Sequence, residues 1–208
     1  MMSNKENLKS YFAEKLEKHG ASPMGVDYNS VEAQIQRFEV LSRIFSDKSE
    51  FSLLDFGSGF GSMYDFLVGR GHRLEYFGYD ISEPMVEKGR EIHRGDDNCK
   101  FSSDYDEIPV VDFAVLSGTL NIRLDMANSE WRKQVLEILH MMDKKTRFGF
   151  SFNMLTMYSD KEKMKDYLYY GDPGFYFDYC KKEFSRNVAL LHDYDLYDYT
   201  ILVRKIPS

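Results

Sequence analysis

The stretch LLDFGSGFG, residues 53–61, places an acid and then three alternating glycines directly after a short apolar run. Glycine weakens the interior of a strand or helix, so such a cluster is expected where the backbone turns sharply or lies close to a ligand. In an open parallel sheet, ligands bind at the carboxyl ends of the strands. We therefore predict a strand at 51–56 and, directly after it, a loop that binds a ligand through Gly57, Ser58, Gly59 and Gly61.

Short apolar runs and helical stretches alternate after this loop. Strands are expected at 51–56, 74–79, 110–116 and 147–153, with a weaker one near 99–102, and helices at 61–68, 83–93 and 129–142. This alternation predicts right-handed βαβ units and a mostly parallel sheet that is covered on both faces. The final run, VALLHDYDLYDYTILVRK (188–205), consists of two strand-like segments and a short turn, which predicts an antiparallel hairpin.

Two helices are predicted before the first strand. Their capping boxes pair Ser3 with Glu6 and Asn29 with Glu32. The second helix has an apolar stripe at helical spacing, formed by Val31, Ile35, Phe38, Leu41 and Phe45. We expect these helices to lie over the ligand as a lid.

Composition excludes several classes of protein. The net charge is −7 and no long run of Lys or Arg occurs, so nucleic acid is not an expected partner. Cys99 and Cys180 form no C-x-x-C pair, which argues against a zinc or redox site, and two free buried thiols are favoured over a disulfide. Without a signal-peptide core or an apolar run of about 18 residues, we expect a soluble cytoplasmic protein that binds no membrane.

The spacing of the glycines distinguishes between ligands. A dinucleotide fingerprint reads G-x-G-x-x-G, whereas this loop reads G-x-G-x-G with Asp55 two residues before the first glycine. A carboxylate at that position repels a pyrophosphate and attracts an ammonium group. The loop therefore favours an amino-acid-like ligand.

In these residues the chain resembles the class I S-adenosylmethionine-dependent methyltransferases, whose first motif is acid-x-G-x-G-x-G. The resemblance extends over roughly residues 51–203 and includes the terminal hairpin. It implies an α/β fold with a Rossmann-like, doubly wound, mostly parallel seven-stranded sheet, and S-adenosyl-L-methionine as the cofactor. It also implies a single domain, 1–208, with a helical lid at 1–46, a cofactor-binding core at 51–208 and an acceptor-side insert around 154–185.

The resemblance assigns further residues to the cofactor. Asp80, at the end of the second strand, would accept hydrogen bonds from the ribose hydroxyls, although an acid there can also cap the next helix. Ile81 would pack on the adenine. Asp104 and Tyr105 would bracket the adenine edge, with an exposed acidic turn as the alternative. Ser117 and Gly118 would pass beside the sulfonium.

The acceptor side carries weaker signals. The Asn/Asp-Pro-Pro-aromatic motif of enzymes that methylate amino nitrogens of adenine or glutamine is absent after the fourth strand, where Asn121 could face the acceptor. Arg37 could pair with the cofactor carboxylate, or be a surface arginine. Tyr28 and His192 are the other catalytic candidates, and no metal is expected. The insert is rich in Tyr, Phe and Met, which suits a flat acceptor or core packing.

These observations predict methyl transfer to an oxygen or nitrogen atom of a small molecule. Such a displacement requires alignment of the reactants, and a base only where the acceptor must lose a proton. Two alternatives stay open: a non-catalytic protein of the same fold that binds the cofactor as a sensor or partner subunit, and a nicotinamide-dependent oxidoreductase.

Overall fold

The computed structural model describes residues 4–26, 30–45 and 48–206. Seven strands form one sheet in the order β3-β2-β1-β4-β5-β7-β6. The first five pair in parallel, and β7 runs antiparallel to both β5 and β6. The predicted Rossmann-like sheet with its terminal antiparallel hairpin is therefore confirmed. The strands are β1 Glu50–Phe56, β2 Arg73–Tyr79, β3 Cys99–Ser102, β4 Val111–Leu116, β5 Thr146–Leu155, β6 Asn187–Leu191 and β7 Asp198–Arg204.

The helices connect the strands and precede the sheet. In the described residues they are α1 Asn4–His19, α2 Val31–Leu41, α3 Ser62–Gly69, α4 Glu83–Ile92, α5 Asn128–Lys145 and α6 Pro173–Glu183. The sequence analysis did not predict α6, which lies inside the aromatic insert. Its start is nevertheless a regular one, because the Asp172 side chain accepts hydrogen bonds from the backbone N–H groups of Gly174 and Phe175.

The strands are apolar along their length because helices cover both faces of the sheet. Leu53 and Leu54 of β1 are both fully buried, yet they point to opposite faces and belong to different apolar clusters. The Leu54 cluster includes side chains of α5 and α6, and the Leu53 cluster includes side chains of α2, α3 and α4. Strands that are buried on both faces, as in parallel α/β sheets, are apolar throughout, whereas strands with one solvent-exposed face alternate apolar and polar residues.

The start of α2 differs from the prediction. Ser30 caps the helix by accepting a hydrogen bond from the backbone N–H of Ala33, at 3.1 Å. The predicted caps, Asn29 and Ser3, lie outside the described residues. The predicted apolar stripe is only partly buried, because Val31 and Ile35 are exposed whereas Phe38, Leu41 and Phe45 are in the core.

Cys99 and Cys180 are both buried free thiols, as predicted. Among residues 4–26, 30–45 and 48–206, no helix combines the length and the apolarity needed to cross a bilayer.

Candidate active site

A cavity of about 1130 Å³ opens at the carboxyl ends of β1, β2 and β4. Ligands of open α/β sheets bind at this edge, and the volume is that of a site for a small molecule or cofactor. The lining includes Gly57, Ser58 and Gly59 of the glycine loop, both strand-end acids, the loop after β4 and side chains of α1, α2 and α5. It also includes residues of the segments 159–170 and 195–198. The predicted Gly61 is not part of the lining, because it packs against Phe101 and His93.

The glycine loop is tied to the neighbouring strand β2. The backbone N–H groups of Gly57 and Ser58 both donate to the carbonyl oxygen of Tyr79, at 2.7 and 3.0 Å. Gly59 has φ +55°, and a Cβ built there would lie 2.6 Å from Cγ1 of Val26. A side chain at position 59 would thus meet both backbone strain and a steric clash. The glycine pattern reflects this close packing of the loop against its neighbours.

Asp80 is fixed by two backbone donors at the end of β2. Its Oδ2 accepts from the N–H of Gly59 and its Oδ1 from the N–H of Ser82, each at 2.9 Å. Burial raises the pKa of Asp80 to about 6, while the two N–H groups oppose that shift. The carboxylate is therefore mainly ionised at neutral pH and held in one orientation toward the cavity.

Asp55, at the end of β1, is held by a residue that the sequence analysis did not identify. The hydroxyl of Tyr76 on β2 donates to Asp55 Oδ2 at 2.7 Å. Burial raises the pKa of Asp55 to about 7, the Tyr76 hydrogen bond lowers it, and the charge of Asp80 raises it further. Asp55 and Asp80 both line the cavity, as predicted.

The loop after β4 is locked to the neighbouring strands. The Thr119 hydroxyl donates to the carbonyl oxygen of Phe56 at 2.8 Å, and the N–H of Gly118 donates to Asn153 Oδ1 at 2.7 Å. Ser117, Gly118 and Asn121 line the cavity. The Oδ1 of Asn121 is already engaged, because it accepts from the N–H of Leu155 at 3.0 Å. Asn121 thus binds the backbone at the end of β5 and also lines the cavity.

Arg37 projects from α2 into the cavity wall and meets an acid on β7. Its Nε donates to Asp198 Oδ2 at 2.7 Å, its Nη2 contacts the same oxygen, and its Nη1 donates to the Ala33 carbonyl at 3.0 Å. Burial raises the pKa of Asp198, and the Arg37 charge opposes the shift. Arg37 is therefore a residue of the site, not a surface arginine. Its partner Asp198 was not singled out from the sequence, although an acid at the start of an apolar strand was a visible signal.

Besides Gly61, three predicted residues lie outside the lining of this cavity. The Asp104 side chain is exposed and accepts from the N–H of Asp106 at 2.9 Å, and the Tyr105 hydroxyl donates to the Met141 carbonyl at 3.1 Å. Neither belongs to the cavity lining, so their contact with adenine stays a prediction. His192 is exposed and also lies outside the lining, with its ring packed near Tyr158. Tyr28 falls outside the described residues.

The insert after β5 forms an aromatic wall. Tyr167, Leu168 and Tyr170 of the insert line the cavity, and Tyr197, which directly precedes β7, lines it as well. Arg123, which follows β4, holds this wall in place. Its backbone N–H donates to the Tyr167 carbonyl at 3.1 Å, and its guanidinium donates to the carbonyl oxygens of Leu168, Leu124, Met126 and Asp166. No sequence motif indicated this arginine.

Helix α1 also borders the cavity. Leu8 and Phe12 belong to the lining, and the Tyr11 ring lies 6.4 Å from that of Tyr167 on the insert. None of the α1 side chains that the structure describes is fully buried. Leu8 packs against the Leu54 cluster and also lines the cavity, so α1 lies at the border of the site. Its role as a lid stays a prediction.

Comparison with known proteins gives one close sequence match. A protein of Mycobacterium tuberculosis (strain H37Rv), named "Putative methyltransferase Rv1506c", is 44% identical over 163 residues, which span 78% of this chain and 98% of that protein. A search against family models found no match.

Solved structures share the fold at low sequence identity. Magnesium protoporphyrin IX methyltransferase from Synechocystis PCC 6803, crystallised with bound SAM, aligns with a TM-score of 0.64 at 15% identity and 99% coverage of both chains. The 1,6-didemethyltoxoflavin-N1-methyltransferase of Burkholderia thailandensis, with bound 1,6-didemethyltoxoflavin and S-adenosylhomocysteine, aligns with a TM-score of 0.62 at 15% identity. That alignment covers 100% of this chain and 92% of the other. At such identities the likeness establishes a common architecture.

Proposed function

The chain belongs to the class I S-adenosylmethionine-dependent methyltransferase family, and from this premise we propose that it methylates an oxygen or nitrogen atom of a small-molecule acceptor. One observation carries the proposal: a single cavity contains both the acid-flanked glycine loop and the aromatic wall of the insert. A donor on the loop and an acceptor on the wall would then meet in one enclosed space. The two solved relatives described above carry the names of small-molecule acceptors, which supports this class of acceptor.

The residues at the sheet edge suit the cofactor. Asp80 is oriented and ionised, as a group that accepts hydrogen bonds from two ribose hydroxyls must be. In its ionised form Asp55 offers a negative charge to the ammonium of the amino-acid tail, and Arg37 offers a positive charge to its carboxylate. Ile81 contributes an apolar surface for the adenine. The chemistry of these four side chains thus fits the separate parts of one molecule.

When bound, S-adenosylmethionine supplies a methyl group on a positively charged sulfur, which is a good leaving group. The protein's own task is then to hold the acceptor in line and to keep water out. Phe12 on α1 and the tyrosines Tyr167 and Tyr170 on the insert line the cavity and would provide that enclosure. Aromatic faces also attract a cationic centre.

Proton transfer is not assigned to the predicted candidates. His192 lies outside the cavity lining, and Asn121 already uses its amide oxygen for the backbone of Leu155. Binding, orientation and exclusion of water are the roles that the lining residues support. An acceptor whose reacting atom is nucleophilic at neutral pH, without a base to remove a proton first, would fit this arrangement.

Calorimetry with S-adenosylhomocysteine (SAH) tests cofactor binding, and donor turnover against a metabolite panel tests catalysis. We expect the protein to bind SAH and Asp80→Ala to lose most of that affinity. Asp112→Asn is a matched control, because Asp112 bonds Ser52 and Arg147 and does not line the cavity. A wild-type chain that binds neither SAM nor SAH would refute the proposal. Binding of SAM without turnover of any acceptor in the panel would favour the non-catalytic alternative.

A further inference from the structure

An ion pair joins α2 to β7, the last strand of the chain, at the wall of the cavity. Arg37 lies on α2, 161 residues before its partner Asp198, and two of its nitrogens contact the single oxygen Oδ2. The Asp198 side chain is fully buried, whereas that of Arg37 is 12% exposed. Because β7 is antiparallel, its first residue lies at the edge where the parallel strands end. The pair therefore belongs to the same edge as Asp55 and Asp80.

Stability alone is a poor reason for this pair. Removing two charges from water is costly, and a buried ion pair often stabilises a fold no better than apolar side chains of similar size. The other carboxylate oxygen, Asp198 Oδ1, is buried without a hydrogen-bond partner among the described residues. Burying an acid with one unsatisfied oxygen costs folding free energy, so a gain in stability does not account for this acid. The position of its partner in the cavity wall offers another explanation.

The geometry fixes the guanidinium in one orientation. Asp198 takes the Nε edge, and the Ala33 carbonyl takes a further N–H from Nη1. Because Nε, Nη1 and Nη2 each have a partner, the plane of the guanidinium is fixed, and less side-chain entropy is lost when a carboxylate binds. A lone arginine on a helix surface would have to give up that freedom at each binding event.

We propose that Asp198 is a positioning residue, which orients Arg37 toward the carboxylate of the donor's amino-acid tail and makes affinity depend on that tail. This inference rests on the proposed function, because it assumes that the cavity binds the donor. It assigns to Asp198, which lines the cavity beside Arg37, the role of orienting that guanidinium. Asp198 and Arg37 would then act as one unit, since Asp198 without Arg37 would repel the same carboxylate.

Two adenosine thioethers separate this role from a general structural one. SAH carries the amino-acid tail, and 5′-methylthioadenosine carries the same adenosine and sulfur without it. We expect Asp198→Asn to weaken SAH binding by about 10- to 100-fold, the range of one or two charge-assisted hydrogen bonds. The affinity for 5′-methylthioadenosine should change by less than about 2-fold. Both are measured by calorimetry at a fixed pH and ionic strength.

A double-mutant cycle tests whether the two residues act together. Arg37→Gln should reduce SAH affinity at least as much as Asp198→Asn, and the double variant should be no worse than Arg37→Gln alone. The double variant also removes the unpaired charge, so it provides a test should Asp198→Asn fail to fold. Asp112→Asn again serves as the control, since it alters an acid paired with an arginine outside the cavity.

The outcomes are distinct. Equal weakening of both ligands in a folded variant would show that Asp198 has a structural role only, and unchanged or tighter SAH binding would show no positioning role. Either result overturns this inference while leaving the proposed function intact. Failure of the wild-type protein to bind either thioether would instead refute the proposed function.

Discussion

The backbone N–H of Gly59 donates to the carboxylate of Asp80, at 2.9 Å, across the boundary between β1 and β2. The loop expected to hold the amino-acid end of the donor is therefore bonded directly to the acid expected to hold its ribose. A second donor, the N–H of Ser82, fixes the other carboxylate oxygen. Any change in this bond should alter both halves of the cofactor site together.

The first prediction concerns the glycine loop. Gly59→Ala places a Cβ 2.6 Å from Val26 Cγ1 at a strained left-handed φ of +55°, so Val26 or the loop must shift. We expect SAH affinity to fall at least 10-fold and stability to fall by about 1–3 kcal/mol. Gly71→Ala is the control, because Gly71 has φ +86° but no atom within 4 Å of a built Cβ. Calorimetry and thermal melts would contradict the prediction if both variants bound SAH equally well.

The second prediction concerns pH and stability without ligand. The folded-state pKa of Asp55 is about 7, above its unfolded value of about 3.9, so the folded state holds a proton more tightly. The resulting stabilisation is complete below about pH 4 and is lost as the pH rises through 7. Asp55→Asn should remove about 3 kcal/mol of the decline between pH 4 and 7, because the folded and unfolded pKa values differ by about three units. Urea denaturation at several pH values measures this, and parallel curves for the two proteins would contradict it.

The third prediction concerns pH and ligand binding. An ionised Asp55 attracts the ammonium of SAH, so SAH affinity should decrease as the pH falls through about 7. Tyr76→Phe removes the hydroxyl that favours the ionised form, so the midpoint of this decrease should move to higher pH. Calorimetry across pH 5.5–8.5 (a range set by a unit or so on either side of that pKa) provides the test. An unchanged midpoint would show that the Tyr76 hydrogen bond does not tune Asp55.

The fourth prediction concerns the acceptor wall. Arg123→Gln removes guanidinium hydrogen bonds to carbonyls of the insert, including that of Leu168. We expect faster amide hydrogen exchange over residues 164–170 and an SAH affinity within about 2-fold of wild type, because Arg123 does not line the cavity. Lys133→Gln on the exposed face of α5 is a suitable control. Unchanged exchange in the insert would show that Arg123 does not support the wall.

The fifth prediction concerns the packing of α5 at the cavity wall, where Trp131 belongs to the lining. Trp131 on α5 is buried, and its Nε1–H donates to the Leu120 carbonyl at 2.9 Å. Trp131→Phe leaves that carbonyl unsatisfied and opens a void, so stability should fall by about 2–4 kcal/mol. Chemical denaturation measures the change. A loss below about 0.5 kcal/mol would indicate that the site relaxes around the smaller ring.

Much of the fold could be predicted from local patterns. Alternating apolar runs and helical stretches specified a mostly parallel sheet, and the terminal pair of runs specified the hairpin, because side-chain periodicity is a property of neighbouring residues. Helix α6 was missed since its sequence, PGFYFDYCKKE, is rich in aromatic residues and resembles an irregular insert as much as a helix. The cap of α2 was misplaced by one residue for a similar reason, because Asn29 and Ser30 are both good caps.

The sequence by itself determined the glycine loop and the two strand-end acids, Asp55 and Asp80. Each of them directly follows or ends an apolar strand, and that position is visible in the local sequence. Only the tertiary structure decided their partners. Tyr76 reaches Asp55, and Asp198 reaches Arg37, from strands that lie 21 and 161 residues away in the chain. Such contacts depend on the order and direction of strands in the folded sheet, and no local pattern records them.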